Sequence, residues 1–412
     1  MIDRDEPVPT VAVVGGGAVG VTTAADLAAR GAAVTLFDRG DLGAESSGRA
    51  AGVLYDAYAE DVDAAIAARS MERFRAFGRS LPGFEFTPCP YVIAVREGDA
   101  DADAVPAMVD RMRAHGRAVT LVDPASLADR FPIAADDLAA AAVAETAGFC
   151  DPASYVAAVA ARARREGVAV VTDAPVSLSR GGDRPAVRIL DPSGSGEASG
   201  RRDREFDAVV VAVGAHTASV LADAGVDVPV IPYRVQALVA PVSYDGPMVY
   251  DATAGVYLRP HPTGLLAGDG TEPVAADPDA YDRTADDWFV DSTSVTLRDR
   301  LADTPVDDGV PDDGVSVDRA WAGLCTATPD GDPLVGPVAD LDGVFVAAGW
   351  QGHGFMRAPA IGEHVAEGVL ASISTDGGTD DPWIDAFDPG RFDGDETFEI
   401  AEGMAVERRD GE

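Results

Sequence analysis

The chain has 412 residues, 47% of them hydrophobic, and this length predicts two or three domains with ample cores. Its 70 Asp and Glu residues outnumber 32 basic residues, all of them arginine, so the formal charge is −38 at pH 7. We expect neither nucleic acid nor an integral membrane segment, because such acidity repels polyanions and no apolar run is long enough to span a bilayer.

The first elements predict a βαβ unit. Residues 11–14 form a four-residue apolar run, which is typical of a buried parallel strand. Residues 19–30 carry helical spacing with good helix formers, and Gly31 ends that helix. Residues 33–38 predict a second strand, which ends on an acid.

Three glycines and this acid indicate a dinucleotide site. Gly15 permits a sharp strand-to-helix turn, Gly17 lets the backbone approach a pyrophosphate, and Gly20 allows close packing of helix on strand. The phosphate charge is favoured at the helix N-terminus, where N–H groups are unpaired. Asp38 lies near the spacing of about 20 residues at which an acid binds ribose hydroxyls, and its charge disfavours the 2′-phosphate of NADP.

The later chain alternates between two patterns. Helical spacing recurs at 61–78, 98–116 and after Cys150, whereas 84–96 and 208–213 have the composition of strands. The segment from residue 228 to about residue 317 shows strands and turns and predicts an antiparallel sheet. Residues 343–373 predict a strand, a glycine-rich turn and a helix beginning near Phe355, while 307–318 and 393–412 are expected to be a solvated acidic loop and tail.

The predicted fold class is therefore α/β, with a discontinuous Rossmann-like nucleotide-binding domain and an interleaved α+β substrate domain built on an antiparallel sheet. The nucleotide-binding domain is predicted to comprise 1–84, 146–225 and 318–374. The substrate domain is predicted to comprise 85–145 and 226–317, and 375–412 is predicted to be a C-terminal extension with an acidic tail.

Several further motifs carry a family resemblance. Residues 43–58, "GAESSGRAAGVLYDAY", follow the acid directly and by composition alone suit either a ligand crevice or a plain loop. With "CDP" at 150–152, "WAGLCTATPDGDPLVG" at 321–336 and "GWQGHGFMRAP" at 349–359, the chain resembles the D-amino-acid oxidase-like superfamily of FAD enzymes. That superfamily includes glycine and sarcosine oxidases, D-amino-acid dehydrogenases, dimethylglycine dehydrogenase and the proline dehydrogenase β subunit. The resemblance extends from residue 8 to about residue 392.

The resemblance implies an extended FAD. It places Gly15, Gly17, Gly20, Asp38 and Arg39 at the adenosine end, with the Val176 backbone at the adenine. It places Ser46, Ser47, Ala51, Gly52 and Val53 beside the pyrophosphate and flavin, and the flavin ring against Gly349, Gln351, Gly352, His353, Gly354, Phe355 and Met356. The other predicted cofactor-binding residues are Ala18, Val19, Arg49, Gly214 and Gly323. The helix near Phe355 is expected to direct its positive end at the flavin, where charge builds during reduction.

The family reaction removes hydrogen from a C–N bond beside a carboxylate, as hydride to flavin N5, and water then hydrolyses the imine. The resemblance therefore implies an amino-acid or N-methyl amino-acid substrate of the D-amino-acid, sarcosine, glycine or proline type. Oxidation of a 2-hydroxy acid, or a role as the flavin subunit of a heteromeric amine dehydrogenase, stays open. The acceptor is left open among a quinone, an electron-transfer protein and O2, and the oligomeric state is also open.

This chain departs from the family at functional positions. Cys325 stands where glycine-oxidase-like members have an arginine that binds the substrate carboxylate, and Gly323 aligns with the cysteine that binds flavin covalently in sarcosine-oxidase-like members. We therefore expect noncovalent FAD. Met356 replaces a lysine of some relatives and is expected to pack. The total absence of lysine favours a dehydrogenase over a fast oxidase, because those oxidases use lysines near the flavin.

Three residues are the predicted catalytic set. Arg259 is the first choice to replace the missing carboxylate clamp, since a guanidinium matches a carboxylate bidentately, and Tyr257 falls where relatives place a substrate-facing tyrosine. His353, in the flavin turn, is expected to contact cofactor or substrate. Tyr250, Tyr55 and Arg49 are weaker candidates. The remaining histidines, His115, His216, His261 and His364, are taken as background.

Composition also suggests the setting. The N-terminal segment is acidic and polar, unlike a secretory signal, so a cytoplasmic location is expected. The three cysteines are widely spaced and odd in number, which argues against a disulfide framework or a zinc site. Because concentrated salt screens repulsion between like charges, the charge of −38 suggests adaptation to molar salt.

Overall fold

The fold is that of a computed structural model, which describes residues 7–180, 184–190, 203–301, 315–374, 386–394 and 396–400. The α-helices, α1 to α9 in chain order, are Ala18–Ala29, Ser46–Arg49, Asp61–Ser80, Val105–Ala114, Pro124–Arg130, Pro152–Arg165, Thr217–Ala222, Asp287–Leu301 and Gly354–Ile373. Short 3₁₀ helices occupy Ala100–Ala104, Gly214–His216 and Pro389–Arg391.

The β-strands are also numbered in chain order. Strands β1 to β10 are Thr10–Val14, Ala33–Phe37, Val53–Leu54, Thr87–Pro88, Tyr91–Arg96, Val119–Val122, Leu138–Ala144, Gly148–Phe149, Ala169–Val171 and Val176–Arg180. Strands β11 to β20 are Pro185–Ile189, Arg204–Glu205, Ala208–Val211, Ile231–Ala240, Met248–Asp251, Val256–His261, Gly264–Asp269, Arg319–Ala327, Leu334–Pro337 and Val344–Ala348.

A six-stranded sheet with the order β19-β20-β13-β1-β2-β9 forms the first layer. Strand β1 lies at its centre, parallel to β2 and β13, and its residues Val11–Val14 are fully or almost fully buried. Helices α1, α6 and α9 pack together on this sheet in one apolar core. The predicted βαβ unit is confirmed, with α1 and β2 within one or two residues of the expected bounds.

An eight-stranded sheet with the order β18-β14-β17-β16-β15-β5-β7-β6 forms the second layer. Its pairs are antiparallel, as predicted, except for β5 with β15, which run parallel. Strand β18 pairs with β14 along nine residues. Residues 319–327 therefore belong to this sheet and not to the six-stranded sheet. The predicted boundary at 318 had placed them in the nucleotide-binding domain.

Helix α8 (Asp287–Leu301) corrects the prediction of strands and turns between residues 228 and 317. Its buried apolar residues Phe289, Leu297 and Leu301 pack against the eight-stranded sheet at helical spacing. The aromatic residues at its start and the β-branched Val290, Thr293, Val295 and Thr296 favour strands locally, and packing on the sheet overrides that preference.

Some sequence expectations concern residues outside the described ranges. The predicted acidic loop lies mostly there, as do residues 375–385, 395 and 401–412 of the predicted extension and tail. All three cysteines are free, and Cys89 and Cys150 are buried. Among the helices that the structure describes, none combines the length and apolar character required to cross a bilayer.

Candidate active site

One large cavity, of about 770 Å³, is lined by residues of both large sheets. Its walls come from the turn after β1, the segment after β2, α2 and its flanks, the segment around Gly214, the middle of the eight-stranded sheet, and the turn before α9. Ligands of open α/β sheets bind at the carboxyl ends of parallel strands, and the turns after β1, β2 and β13 lie there.

The turn after β1 requires glycine at two positions. Gly15 has φ of +103°, and a Cβ built on it would lie 2.2 Å from the carbonyl oxygen of Ala212. A Cβ on Gly20 would lie 1.9 Å from the carbonyl oxygen of Gly15. Gly20 does not line the cavity; it lets α1 pack on the turn, which is the packing role expected of it.

Asp38 braces the same turn and faces the cavity. One carboxylate oxygen accepts the N–H of Gly16 at 2.6 Å, and the other accepts that of Gly40 at 2.8 Å. Burial raises the pKa of Asp38, and the two N–H donors and Arg39 oppose that shift. Each oxygen keeps a lone pair for a ribose hydroxyl, so the acid suits the adenosine end of a dinucleotide.

Short helix α2 and the chain around it form the middle of the cavity. The Ser47 hydroxyl accepts the N–H of Ala18 at 2.9 Å, which ties α2 to the start of α1. Gly52 has φ of +69°, and a Cβ there would lie 2.2 Å from the Cys150 carbonyl oxygen. The cavity thus follows close-packed backbone from one sheet to the other, which suits an extended dinucleotide such as FAD.

The turn before α9 and the first residues of α9 form another wall of the cavity. Gly352, His353, Gly354, Phe355 and Met356 line the cavity, and α9 begins at Gly354, next to the predicted Phe355. The first N–H groups of a helix lack intrahelical partners and carry partial positive charge. The cavity wall is therefore electropositive here, where the resemblance locates the flavin ring.

Most of the predicted cofactor residues meet at this cavity. Those that line it are Gly15, Gly17, Ala18, Val19, Asp38, Arg39, Ser46, Ser47, Arg49, Ala51, Gly52, Val53, Val176, Gly214, Gly323, Gly352, His353, Gly354, Phe355 and Met356. Gly349 and Gln351 do not line it. Gln351 is buried with φ of +44°, and its side chain donates to the carbonyl oxygen of Glu399, so both residues shape the turn from behind.

Two members of the predicted catalytic set, Tyr257 and His353, line the cavity, as do the weaker candidates Tyr55, Tyr250 and Arg49. The His353 ring meets the ring of Tyr58 edge-on, with centroids 5.8 Å apart. Tyr58 also donates to the Met356 sulfur at 3.0 Å, so Met356 packs as expected. The chemical roles of these residues stay predictions.

Arg259 corrects the expectation of a carboxylate clamp, because it is absent from the cavity wall. Its Nε donates to the Ala51 carbonyl oxygen at 2.5 Å, another nitrogen donates to the Pro260 carbonyl oxygen at 2.7 Å, and its guanidinium lies 5.1 Å from the centre of the Phe149 ring. The side chain is 4% exposed, and burial lowers its pKa. Arg259 fixes the cavity wall from behind.

Several cavity residues had no distinct sequence signal. Tyr91 and Asp269 belong to the eight-stranded sheet, and only strand pairing places them beside Tyr257. His216, which we took as background, lines the adenosine end, where its Nε2 lies 2.9 Å from an Arg39 nitrogen and 3.0 Å from Asp279 Oδ1. The residues of this cluster come from three distant segments.

The comparisons with known proteins agree with this geometry. The glycine oxidase of Pseudomonas aeruginosa is 28% identical over 368 residues, which cover 85% of this chain and 92% of that protein. The solved L-proline dehydrogenase of P. horikoshii has a TM-score of 0.78 at 25% identity and covers 93% of this chain and 97% of its own. The glycine oxidase structure of Geobacillus kaustophilus has the same TM-score at 21% identity, over 94% of this chain and all of that one, and shows the shared fold.

A family model settles the cofactor class. The model described as FAD dependent oxidoreductase matches residues 10–368, which is most of the chain. The glycine turn, Asp38 and the α9 wall are the features that such a family needs to hold FAD. The chain therefore belongs to the FAD-dependent oxidoreductase family.

Proposed function

We propose that the protein oxidises the C–N bond of an amino acid or an N-methyl amino acid, with FAD as the hydride acceptor. The observation that carries the proposal is the position of the aromatic part of the cavity, where Tyr55, Tyr91, Tyr250 and Tyr257 share one space with the turn before α9. The similarity to glycine oxidases and L-proline dehydrogenase supports a substrate with a C–N bond. An amine and its oxidant would meet in this space.

When bound, FAD supplies the hydride acceptor, and the chain's own residues supply positioning and electrostatics. Asp38 would hold the ribose, the N-terminus of α1 the pyrophosphate, and Val176 the adenine. The N-terminus of α9 would stabilise negative charge on the reduced ring. The buried tyrosines exclude water from the reacting carbon, and His353 and Tyr257 are proposed to orient the substrate.

The test is anaerobic mixing of the FAD-loaded protein with sarcosine, glycine, proline and several D-amino acids. Loss of the oxidised flavin absorption on mixing with at least one of them is the expected result. Lactate is the matched control, since it replaces the amine by a hydroxyl. Bleaching by lactate alone would instead favour the 2-hydroxy-acid reaction.

The FAD is proposed to be noncovalent. Gly323 provides no sulfur at the position of the cysteine that binds flavin covalently in some relatives. Cys325 lies two residues further along the chain, is half-buried and lines the cavity, and it is not at that position. Acid precipitation of the holoprotein is therefore expected to release all the yellow colour into the supernatant. Colour that stayed with the polypeptide would contradict this, and Cys325→Ser would then show whether Cys325 is the attachment point.

The setting follows from composition. We propose a cytoplasmic location for the enzyme. We also propose that the enzyme passes its electrons to an acceptor other than oxygen, because the chain has no lysine to place near the flavin. The ratio of artificial-acceptor to oxygen turnover measures this preference directly.

Adaptation to salt is proposed as well, and it predicts a large effect on stability. Because salt screens the repulsion of a chain of charge −38, we expect the melting temperature to rise by about 10 °C or more between 0.1 M and 3 M KCl. Scanning calorimetry measures it, with sucrose at equal osmolality as the control for nonionic exclusion. An unchanged melting temperature in KCl would reject the hypothesis.

A further inference from the structure

Four tyrosines that line the cavity lie on β5, β15 and β16 and directly after β3. Tyr250, Tyr257 and Gly268 are direct partners on β15, β16 and β17, and a Cβ on Gly268 would lie 2.3 Å from the Tyr257 hydroxyl oxygen, so Tyr257 lies across Gly268. The Tyr91 ring lies 5.0 Å, centre to centre, from that of Tyr55. We call Tyr55, Tyr91, Tyr250 and Tyr257 the tyrosine wall.

A carboxylate lies beside the tyrosine wall. Asp269 follows Gly268 as the last residue of β17, is 8% exposed, and lines the cavity. Regular alternation would turn it to the opposite face, with its strand partner Val256, but its φ of +125° breaks the alternation. Such a φ is rare outside glycine and persists where the surrounding structure imposes it, often at functional sites.

The charges of the cavity favour a cation at this end. Among the described residues that line it, the arginines are Arg39 and Arg49, and both form ion pairs with Glu45. The hydrogen bonds described for the Asp269 carboxylate both come from Thr271, from its hydroxyl at 2.6 Å from Oδ1 and from its backbone N–H. Burial raises the pKa of Asp269 to about 6, and no ion pair is described for its carboxylate among the residues that the structure covers, so a cation bound beside it would oppose that shift.

We propose that the enzyme selects its substrate by a cationic, alkylated nitrogen bearing an N–H, which the Asp269 carboxylate and the tyrosine wall bind together; the N–H proton would pass to the carboxylate before hydride leaves the adjacent carbon. Aromatic faces attract alkylammonium ions, and one buried carboxylate neutralises the charge. This inference rests on the proposed function only in taking this end of the cavity as the substrate site. It replaces carboxylate recognition, which neither Arg259 nor Cys325 provides, with recognition of nitrogen.

The test is equilibrium binding to the FAD-loaded protein at constant ionic strength, followed by the perturbation of the flavin absorption. Tetramethylammonium ion is expected to bind saturably, at least tenfold more tightly than acetate. Asp269→Asn, which keeps the size and tolerates positive φ, is expected to weaken tetramethylammonium binding at least tenfold. Asp110→Asn removes the same charge from an exposed site on α4 and is expected to leave binding unchanged.

A second pair of variants, at Tyr250, tests the contribution of the tyrosine wall to cation binding. This pair also tests the inference if Asp269→Asn does not incorporate FAD. Tyr250→Phe keeps the ring and should retain binding within about threefold, whereas Tyr250→Leu should lose at least fivefold. Tighter binding of acetate, no effect of Asp269→Asn, or equal affinity of the two Tyr250 variants would overturn the inference. Because no turnover is measured, cation binding without bleaching by any amine would reject the proposed reaction and keep this inference.

Discussion

Gly15→Ala is expected to leave the protein with less than about a tenth of its normal FAD. Two costs add at this position. The φ of +103° is unfavourable for any residue with a Cβ, and the added methyl group would lie 2.2 Å from the Ala212 carbonyl oxygen, which is fixed in the backbone after β13. Relief requires the turn to move, and strain of 1–3 kcal/mol alone corresponds to roughly a five- to 150-fold loss in an equilibrium.

The measurement is the ratio of flavin to protein absorbance after reconstitution with excess FAD and gel filtration. Gly167→Ala is the matched control, because Gly167 has a similar φ of +94° but nothing within 4 Å of the added Cβ. That variant should lose some thermal stability and keep its full FAD. Stoichiometric FAD in Gly15→Ala would show that the turn is not the pyrophosphate site.

Asp251→Ala is expected to lower the free energy of unfolding by about 3–5 kcal/mol, a large share of the stability of a typical domain. The Asp251 side chain is 1% exposed and accepts hydrogen bonds from Arg300 at 2.8 Å and from Arg96 at 2.8 and 3.0 Å. Removal of the carboxylate leaves Arg300, itself 1% exposed, with the Asp137 carboxylate as its one remaining countercharge among the described residues.

Urea unfolding at fixed salt measures this loss. The control is Asp299→Ala, which breaks an ion pair with Arg298 in which both side chains are more than a third exposed, and it should cost less than about 1 kcal/mol. Equal midpoints for the two variants would mean that the buried network does not stabilise the eight-stranded sheet. Asp251→Asn should fall between them, because it keeps an acceptor but loses the charge.

The nucleotide-binding unit was predictable because its signals are local. A strand, a turn and a helix within residues 10–38 require glycine where φ is positive or where backbones touch, and an acid at the end of the second strand. The turn before α9 was equally predictable from the sequence, because its glycines and the start of the helix are adjacent in the chain. These residues interact with near neighbours, so spacing alone constrains them.

Helix α8 shows where local signals fail. Several of its residues, Trp288, Phe289 and the β-branched Val and Thr residues, favour strands, and the helix forms because an apolar stripe fits the face of the eight-stranded sheet. Pairing of β18 with β14 likewise moved residues 319–327 across a predicted boundary. Both outcomes depend on segments far apart in the chain.

The sequence by itself therefore determined the family, the cofactor and the positions of the glycine turns. Only the tertiary structure decided how the charged side chains of the second sheet are used: Arg259 bonds to a carbonyl oxygen 208 residues away instead of facing the cavity, and Asp269 lines the cavity instead. The physical reason is that the face to which a buried charged side chain turns depends on packing between distant segments, and the chain near that residue does not encode this packing.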